Sequence, residues 1–331
     1  MPERANSENM FVMKSIVEIG QYKCVLSSTE IRKSIYSLVD TCELVLPVNC
    51  HLLDKTDGTI IKDREQKIKY GDKVVVKLGY DDDINIVFEG FVVGVEKTIP
   101  LKVQCEGYSF LLRDKIIKKA YENATILNIL TDVIGYESID GYAVDAEIED
   151  VFFNNVTSFK ALQWLKEQLQ CDVFFKGKTL YCVPSLKYLE QKEPIKLKLG
   201  WNTIKDNELQ NDERAKLVNV VMVEHSKNGL IKKTKYTNDK YDTTMEVRIR
   251  EGLPMWFVDD VREKIQNRVD YRGYKGEITL FLTPFIDKGD IVQIEDERYP
   301  ERGGKYYVYG VKTTYGENGG RQIISIGVMP K

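Results

Sequence analysis

The sequence predicts a mixed, mainly β protein in which two similar small antiparallel β-barrels bracket α/β insertion modules. Three observations carry this reading. Both ends of the chain show short apolar alternations cut by turn residues, the period-2 pattern of strands with one buried face. The middle shows apolar residues three and four apart, the pattern of helices packed along one stripe. The two strand-rich ends also repeat a turn-and-strand pattern at similar offsets. At 331 residues the chain is long enough for two or three domains with substantial cores. The expected divisions are 1–112 (first barrel), 113–190 (α/β module), 191–275 (connector, first strand of the second barrel and a helical insertion) and 276–331 (the rest of the second barrel).

In chain order, Cys42 to Val48, Lys73 to Leu78, Ile86 to Val95 and Leu101 to Cys105 alternate as strands. Gly90 and Gly94 lie inside one apolar strand, where glycine marks a bend or bulge. From Ala124 to Ile134 the period changes. Ile126, Leu127, Leu130 and Ile134 share a helical face, with Asn123 as the expected N-cap and Gly135 as the stop. A second helix is expected from Ser158 to Gln170, capped by Thr157, with Phe159, Leu162, Leu165 and Leu169 at three-four spacing and Trp164 beside them in the core. Strands Asp172 to Phe175 and Thr179 to Val183 follow, joined by a turn centred on Gly177. After a charged connector comes a strand from Lys216 to Glu224. Next is a helix from Trp256 to Tyr271, with Phe257, Val261, Ile265 and Val269 inward and Arg262, Glu263 and Arg268 outward. From Glu277 onward the pattern is again strands.

The repeat rests on two stretches. Gly71-Asp72 opens the strand at Lys73, and Gly289-Asp290 opens the strand at Ile291; Gly94 and Gly310 then mark a second strand, 22 residues after Asp72 and 20 after Asp290. A lone Gly-Asp turn is common, but two copies at matched offsets from a glycine-marked strand indicate duplication. Each copy then turns once more and closes on a strand, Leu101 to Cys105 or Gln322 to Ile326. Tyr306, Tyr307 and Tyr309 in the second copy are candidate interface aromatics, because alternation sends neighbours to opposite faces, one set to the core and one to a subunit contact.

Composition narrows the chemistry. Lys and Arg number 48 against 51 Asp and Glu, a net charge of −3, which does not favour specific nucleic-acid binding. The two histidines, His51 and His225, are too few for a His-rich metal site. Cys50 beside His51 is sequence adjacency without a nucleophile motif. The six cysteines contain no C-x-x-C pair and are expected as buried reduced thiols. No apolar run approaches a membrane span and no signal-like start is seen, so the expected setting is a reducing cytoplasm with no membrane partner. Gly316, Gly319 and Gly320 lack the helix that a phosphate loop needs and read as a hairpin turn. Asp81-Asp82-Asp83 lacks the calcium-loop spacing and reads as a hairpin tip. Lys115, Lys118 and Lys119 read as a solvated face. No catalytic, cofactor or metal residues are expected.

The order of these elements resembles the baseplate hub proteins of contractile phage tails and phage tail-like particles: the late control protein D and XkdQ-like family, related to the N-terminal part of VgrG. The matching residues are Tyr70-Gly71-Asp72-Lys73-Val74, Val87-Phe88-Glu89-Gly90 with Val93-Gly94-Val95, Cys105-Glu106-Gly107-Tyr108, Asn123-Ala124-Thr125-Ile126 with Asn155-Val156-Thr157, and Lys288-Gly289-Asp290-Ile291-Val292 with Gly304-Lys305-Tyr306-Tyr307-Val308. The resemblance implies a non-enzymatic homotrimer. Its paired barrels would form a pseudo-sixfold ring joining a hexameric tail tube protein to a trimeric central spike protein, with baseplate wedge or tape-measure protein nearby. It implies assembly in the bacterial host cytoplasm and a place in the baseplate of a virion or tail-like particle. With no spike-like segment before Lys331, the spike is expected as a separate polypeptide, and the channel wall as neutral to acidic. The alternative is a tail-associated peptidoglycan-degrading or carbohydrate-binding protein, using some of the 51 carboxylates and exposed aromatics. A weaker third reading is an oligonucleotide-binding barrel, since aromatics on small barrels can stack bases.

Overall fold

The computed structural model describes residues 12–62, 64–190, 193–206, 208–212, 218–225, 231–234, 241 and 243–328. The N-terminal part contains β1 (Met13–Ile19), β2 (Tyr22–Cys24), β3 (Ser28–Ser34), β4 (Thr41–Leu46), β5 (Leu52–Asp54), β6 (Ile60–Ile61), the one-turn helix α1 (Arg64–Lys67), β7 (Lys73–Tyr80), β8 (Asp83–Glu96) and β9 (Leu101–Glu106). Alternation decides which faces are buried. In β4, Cys42, Leu44 and Leu46 point inward while Glu43 and Val45 stay half-exposed, and β9 repeats this with Leu101, Val103 and Cys105. These residues join Val17, Ile19, Ile31, Val74, Val76 and Phe88 in one core. Each such side chain contributes about 1.5–3 kcal/mol relative to exposure.

The middle of the chain is built from two strand-into-helix units. They lie within the run β10 (Ile116–Thr125), α2 (Ile126–Ile134), β11 (Asp140–Ala143), β12 (Glu147–Thr157), α3 (Ser158–Leu169), β13 (Asp172–Lys176) and β14 (Thr179–Val183). β10 and β12 pair antiparallel, and each runs directly into its helix. Thr125 Oγ1 accepts from Asn128 N at 3.1 Å, and Thr157 Oγ1 accepts from Lys160 N at 3.3 Å. The N-cap of α2 is therefore Thr125, not Asn123. Asn123 is still paired with Glu149 in the strand, and an extended threonine at the last strand position serves both elements. Gly135 ends α2 in the left-handed conformation, as expected. β11, β14 and β13 form a small sheet in that order.

The rest of the chain divides between two cores. β15 (Ile195–Lys198), β16 (Thr203–Lys205) and β17 (Gln210–Asp212) precede β18 (Val218–His225), β19 (Ile231–Thr234), β20 (Thr243–Arg250) and α4 (Met255–Asp270), and the chain closes with β21 (Gly273–Leu280), β22 (Ile291–Glu295), β23 (Gly304–Tyr315) and β24 (Arg321–Ile326). β18, expected as the first strand of the second barrel, instead forms a separate sheet with β19 and β20. Its Val220 and Met222 join Phe257 and Val261 of α4 in the core of the middle module. β18 alternates like any half-buried strand, so local pattern could not say which sheet it joins. Lys216 and Leu217 lie outside the described residues. Along α4, Ile265 and Val269 pack inward as the four-residue spacing predicts, but Arg262 and Arg268 are half-buried instead of facing out.

The remaining strands form one 16-stranded sheet. Its main path is β16-β21-β24-β23-β3-β4-β9-β8-β7-β1-β2-β5-β6, with β22 and β15 joined at β23 and β17 at β21. The architecture is mainly β with antiparallel pairing predominant, and among the described residues the path ends at β16 and β6. A third core, with Leu197, Ile278, Leu280, Val292, Tyr306, Val308, Ile324 and Ile326, lies under the C-terminal strands.

Candidate functional site

The two repeated turns are built alike. Gly71 N donates to Val92 O (2.8 Å) and Val92 N to Asp72 O (2.9 Å); Gly289 N donates to Val308 O (2.7 Å) and Val308 N to Asp290 O (2.9 Å). In each, the aspartate Oδ2 accepts the amide N–H three residues earlier, from Lys69 or Asp287, at 2.8 Å. Gly71 and Gly289 have φ of +85° and +81°, a region that side chains disfavour. Beyond the turns, Lys73 faces Phe91 and Ile291 faces Tyr307, the same register. Each long strand then shifts register between its valine and its glycine: Val92 and Gly94 in β8, Val308 and Gly310 in β23. Gly90 lies in β8 opposite Val74, where a Cβ would lie 2.1 Å from the Glu106 carbonyl oxygen.

This equivalence extends over four strands. β8, β9, β4 and β3 are consecutive neighbours, and so are β23, β24, β21 and β16. The two quartets join where β3 pairs antiparallel with β23, Ser34 opposite Gly310 through Thr29 opposite Tyr315. The eight-strand array therefore ends at β16 on one side. On the other it ends at residues 94–96 of β8, whose second edge is paired with no strand among the described residues. Trp201, 78% exposed, and Ile204, 40% exposed, lie beside and within β16. The face of the array turned from the cores is polar and balanced. Lys312 pairs with Glu30 at 2.9 Å, Arg32 pairs with the same glutamate at 2.6 Å, and Gln104 donates to Glu43 (2.8 Å) and Glu96 (3.3 Å).

The three candidate aromatics separate by alternation. Tyr306 is buried in the C-terminal core, its hydroxyl donating to Arg302 O at 2.9 Å. Tyr307 and Tyr309 point the other way and pack against a cluster of Ile35, Phe174, Leu186 and Leu189. Tyr309 stacks on Tyr36 with 5.5 Å between centroids, and burial pushes its hydroxyl well above the ordinary tyrosine range.

The turn at Gly289 also fastens three parts of the chain. Lys288 is fully buried and donates to Asp40 Oδ1 (2.5 Å) and Ser34 O (3.3 Å). Lys33 pairs with Asp287 at 3.2 Å, and Lys176 of β13 pairs with Asp290 at 2.6 Å. Burial raises the Asp40 carboxyl and lowers the Lys288 ammonium, each partly opposed by the other's charge. For Asp287 burial pushes upward, but Lys33 and Lys288 outweigh it and hold the carboxyl below its ordinary range. Sequence reading missed this network, because charged residues beside a Gly-Asp turn look like solvated turn residues. At the equivalent turn Tyr70 is 65% exposed and packs edge-on against Phe110, at 5.2 Å between centroids.

The other singled-out residues take structural places. Five of the six free thiols are buried, and Cys24 is partly so. His51 is exposed, and the His225 side chain lies outside the described residues. Asp81 and Asp82 form the tip between β7 and β8, with Asp83 opening β8; Gly316, Gly319 and Gly320 lie between β23 and β24. Lys115 and Lys119 are not simply solvated: they reach the Asp132 carbonyl and carboxylate, each at 2.6 Å.

No family model and no curated protein matches the chain. Solved structures do. A tail protein from Neisseria meningitidis aligns with a TM-score of 0.67 at 12% identity, over 95% of this chain and 96% of that one. A prophage tail protein from Shewanella oneidensis gives 0.61 at 14% identity, over 95% and 97%. An E. coli component of the type VI secretion system, itself similar in structure to bacteriophage tail proteins, gives 0.58 at 11%, over 95% and 77%. The chain thus has the fold of phage tail proteins and of a type VI secretion component, the group its motif order resembles.

Proposed function

We propose that this chain is the structural hub of a contractile tail or injection-system baseplate, a homotrimeric adaptor between a hexameric tail tube and a trimeric central spike. One observation carries the reading: the two free ends of the eight-strand array are the two surfaces that the repeat makes complementary. Within the chain, the last strand of one quartet, β3, pairs with the first strand of the next, β23. By the repeat, β16 corresponds to β3, and residues 94–96 of β8 correspond to the start of the β3-paired part of β23. Setting β16 of one copy beside β8 of the next reproduces the internal junction between copies. Such a head-to-tail contact closes into a ring when the rotation allows, and three copies would place six quartets around it. Each quartet with its flanking strands then serves as one of the two barrel-like units.

Gly94 fits this reading. In β23 the equivalent Gly310 lets the β3 backbone approach, with Lys33 O only 3.3 Å from where a Cβ would be; a Cβ on Gly94 would meet nothing closer than Gln104 Cβ at 3.8 Å. The glycine is kept where a neighbouring strand is missing. Exposed Trp201 and Ile204 beside β16 supply apolar contact for such a neighbour. The polar face of the array, where glutamates pair with Lys312, Arg32 and Gln104, would line a channel that holds neither strongly acidic nor strongly basic cargo. The wedge or tape-measure protein is assigned to the ring's surroundings by the resemblance alone. The fold likeness to tail proteins supports a structural, non-enzymatic role at the baseplate of a virion or tail-like particle.

Native mass measurement at tens of micromolar, alone and with tail-tube and spike proteins, tests the proposal. A trimer is expected in at least one mixture; a strict monomer in all of them overturns it. Clearing of cell wall on a zymogram, lost on changing a single carboxylate, would instead establish the degradative alternative.

A further inference from the structure

The strand that would meet β8 between copies can be placed residue by residue. β16 and β17 lie end to end along one edge of β21, with Thr203 opposite Leu280 and Gln210 opposite Lys275. Val92 faces Cys105 as Val308 faces Ile326, and through these pairs Cys42 of β4 corresponds to Gly276 of β21. One residue earlier, Thr41 faces Arg32 and Lys275 faces Gln210, so β17 takes the place of the second half of β3. Burial agrees, since Leu209 beside β17 and Ile31 in β3 both lie in a core. Within the chain, Arg32 faces Lys312 and Ser34 faces Gly310. The equivalent contact sets Gln210 of one copy opposite Glu96 of the next, and Asp212 opposite Gly94.

Tyr70 acquires a partner in the same way. Lys288, just before the second Gly-Asp turn, reaches Asp40 and the Ser34 carbonyl. Its counterpart before the first turn is Tyr70, and the counterpart of Asp40, two residues before Cys42, is Tyr274, two before Gly276. Tyr70 is exposed on a small aromatic platform: Phe110 stands edge-on to it, and Phe91 stacks on Phe110 with 5.2 Å between centroids. Tyr274 is half-buried, with the Arg302 guanidinium 5.8 Å from its ring centroid. The change from an ion pair to two tyrosines follows from when each contact forms. Lys288 and Asp40 are buried as the chain folds, whereas a pair between copies stands in water until they meet. Stripping water from two charges at that moment is costly, while covering two rings is favourable and leaves their hydroxyls free to stay wet. We propose that a second copy of this chain covers Tyr70, which packs on Tyr274 of that copy while Gln210 to Asp212 pair antiparallel with Gly94 to Glu96. The proposal rests on the hub reading and adds to it a register and an anchoring side chain.

Native mass measurement in the mixture that yields the trimer, together with disulfide trapping, tests this on the full chain. Tyr70→Ala is expected to raise the concentration at which half the trimer dissociates about tenfold, with the urea midpoint of the isolated chain unchanged. Tyr70→Phe keeps the ring and should assemble like the parent. Directly opposite residues of an antiparallel pair lie about 4.5–5.5 Å apart, within disulfide reach. With Glu96→Cys and Gln210→Cys in one chain, each thiol pair between copies reacts with one glutathione disulfide, giving one protein disulfide and two glutathiones. Linked copies are then expected on a non-reducing gel, with about tenfold less linkage when Asp212→Cys replaces Gln210→Cys and the register is broken. A trimer indifferent to Tyr70→Ala, or one trapped equally by both cysteine pairs or by neither, overturns the proposal and leaves the hub reading standing. A parent chain that stays monomeric in every mixture overturns both.

Discussion

At Lys288 an ammonium has been taken entirely out of water and held by Asp40 and the Ser34 carbonyl. Breaking a buried pair from one side leaves the other charge uncompensated. Lys288→Met is therefore expected to lose about 3–5 kcal/mol in urea denaturation. The double variant with Asp40→Asn should recover much of that loss, because both charges are then gone. Asp287 gives a pH prediction. Its folded carboxyl is held below the ordinary aspartate value by Lys33 and Lys288 against burial, so its contribution is present above that value and fades as pH falls through the depressed one. Acid unfolding below about pH 4 should be less steep in Asp287→Asn than in the parent, as followed by circular dichroism. Asp40, raised by burial, acts with the opposite sign: its contribution is full below the ordinary aspartate value and is lost as pH rises through the folded one.

The elements owe their ends to short-range chemistry and their partners to long-range packing. Thr125 and Thr157 each close a strand and open a helix, so Thr→Ala at either is expected to cost about 1 kcal/mol by thermal denaturation. Within β8 the two glycines should separate. A Cβ on Gly90 would strike the Glu106 carbonyl oxygen, so Gly90→Ala is expected to destabilise by about 1–3 kcal/mol. Gly94→Ala places its methyl 3.8 Å from Gln104 and should stay within about 0.5 kcal/mol of the parent while weakening assembly. A stable but monomeric G94A would separate a folding role from an interface role, whereas unchanged assembly would count against the strand-edge contact. α3 and α4 were legible to within a residue or two because their apolar spacing is local. The destination of β18 was not, since its alternation suits either neighbouring sheet.

Across the whole molecule, the strand path is the feature that most constrains function. An eight-strand array made of two equivalent quartets ends at β16 and at residues 94–96 of β8, and among the described residues no strand pairs with either end. Exposed edges of this kind invite pairing with another chain. Ile204→Pro on the outermost strand is expected to leave the monomer folded, since proline is tolerated on edges, and to abolish the trimer in native mass spectra. A trimer that persists in this variant would place the contact elsewhere.

The sequence by itself determined the strand-rich class, the three longer helices, the buried reduced thiols and the duplicated Gly-Asp turns, because each follows from periodicity or from backbone demands that only certain residues meet. Of the two glycines read as marking a bend, Gly90 and Gly94, the β8–β9 register shift falls at Gly94, and the shift at Gly310 follows from the repeat. The tertiary structure alone decided that both sheet halves join through β3 and β23, and that Lys288 is buried whereas its counterpart Tyr70 is exposed. Those facts depend on residues tens to hundreds of positions apart meeting in space. Local pattern carries the face a residue prefers, and only packing supplies the neighbour it finds there.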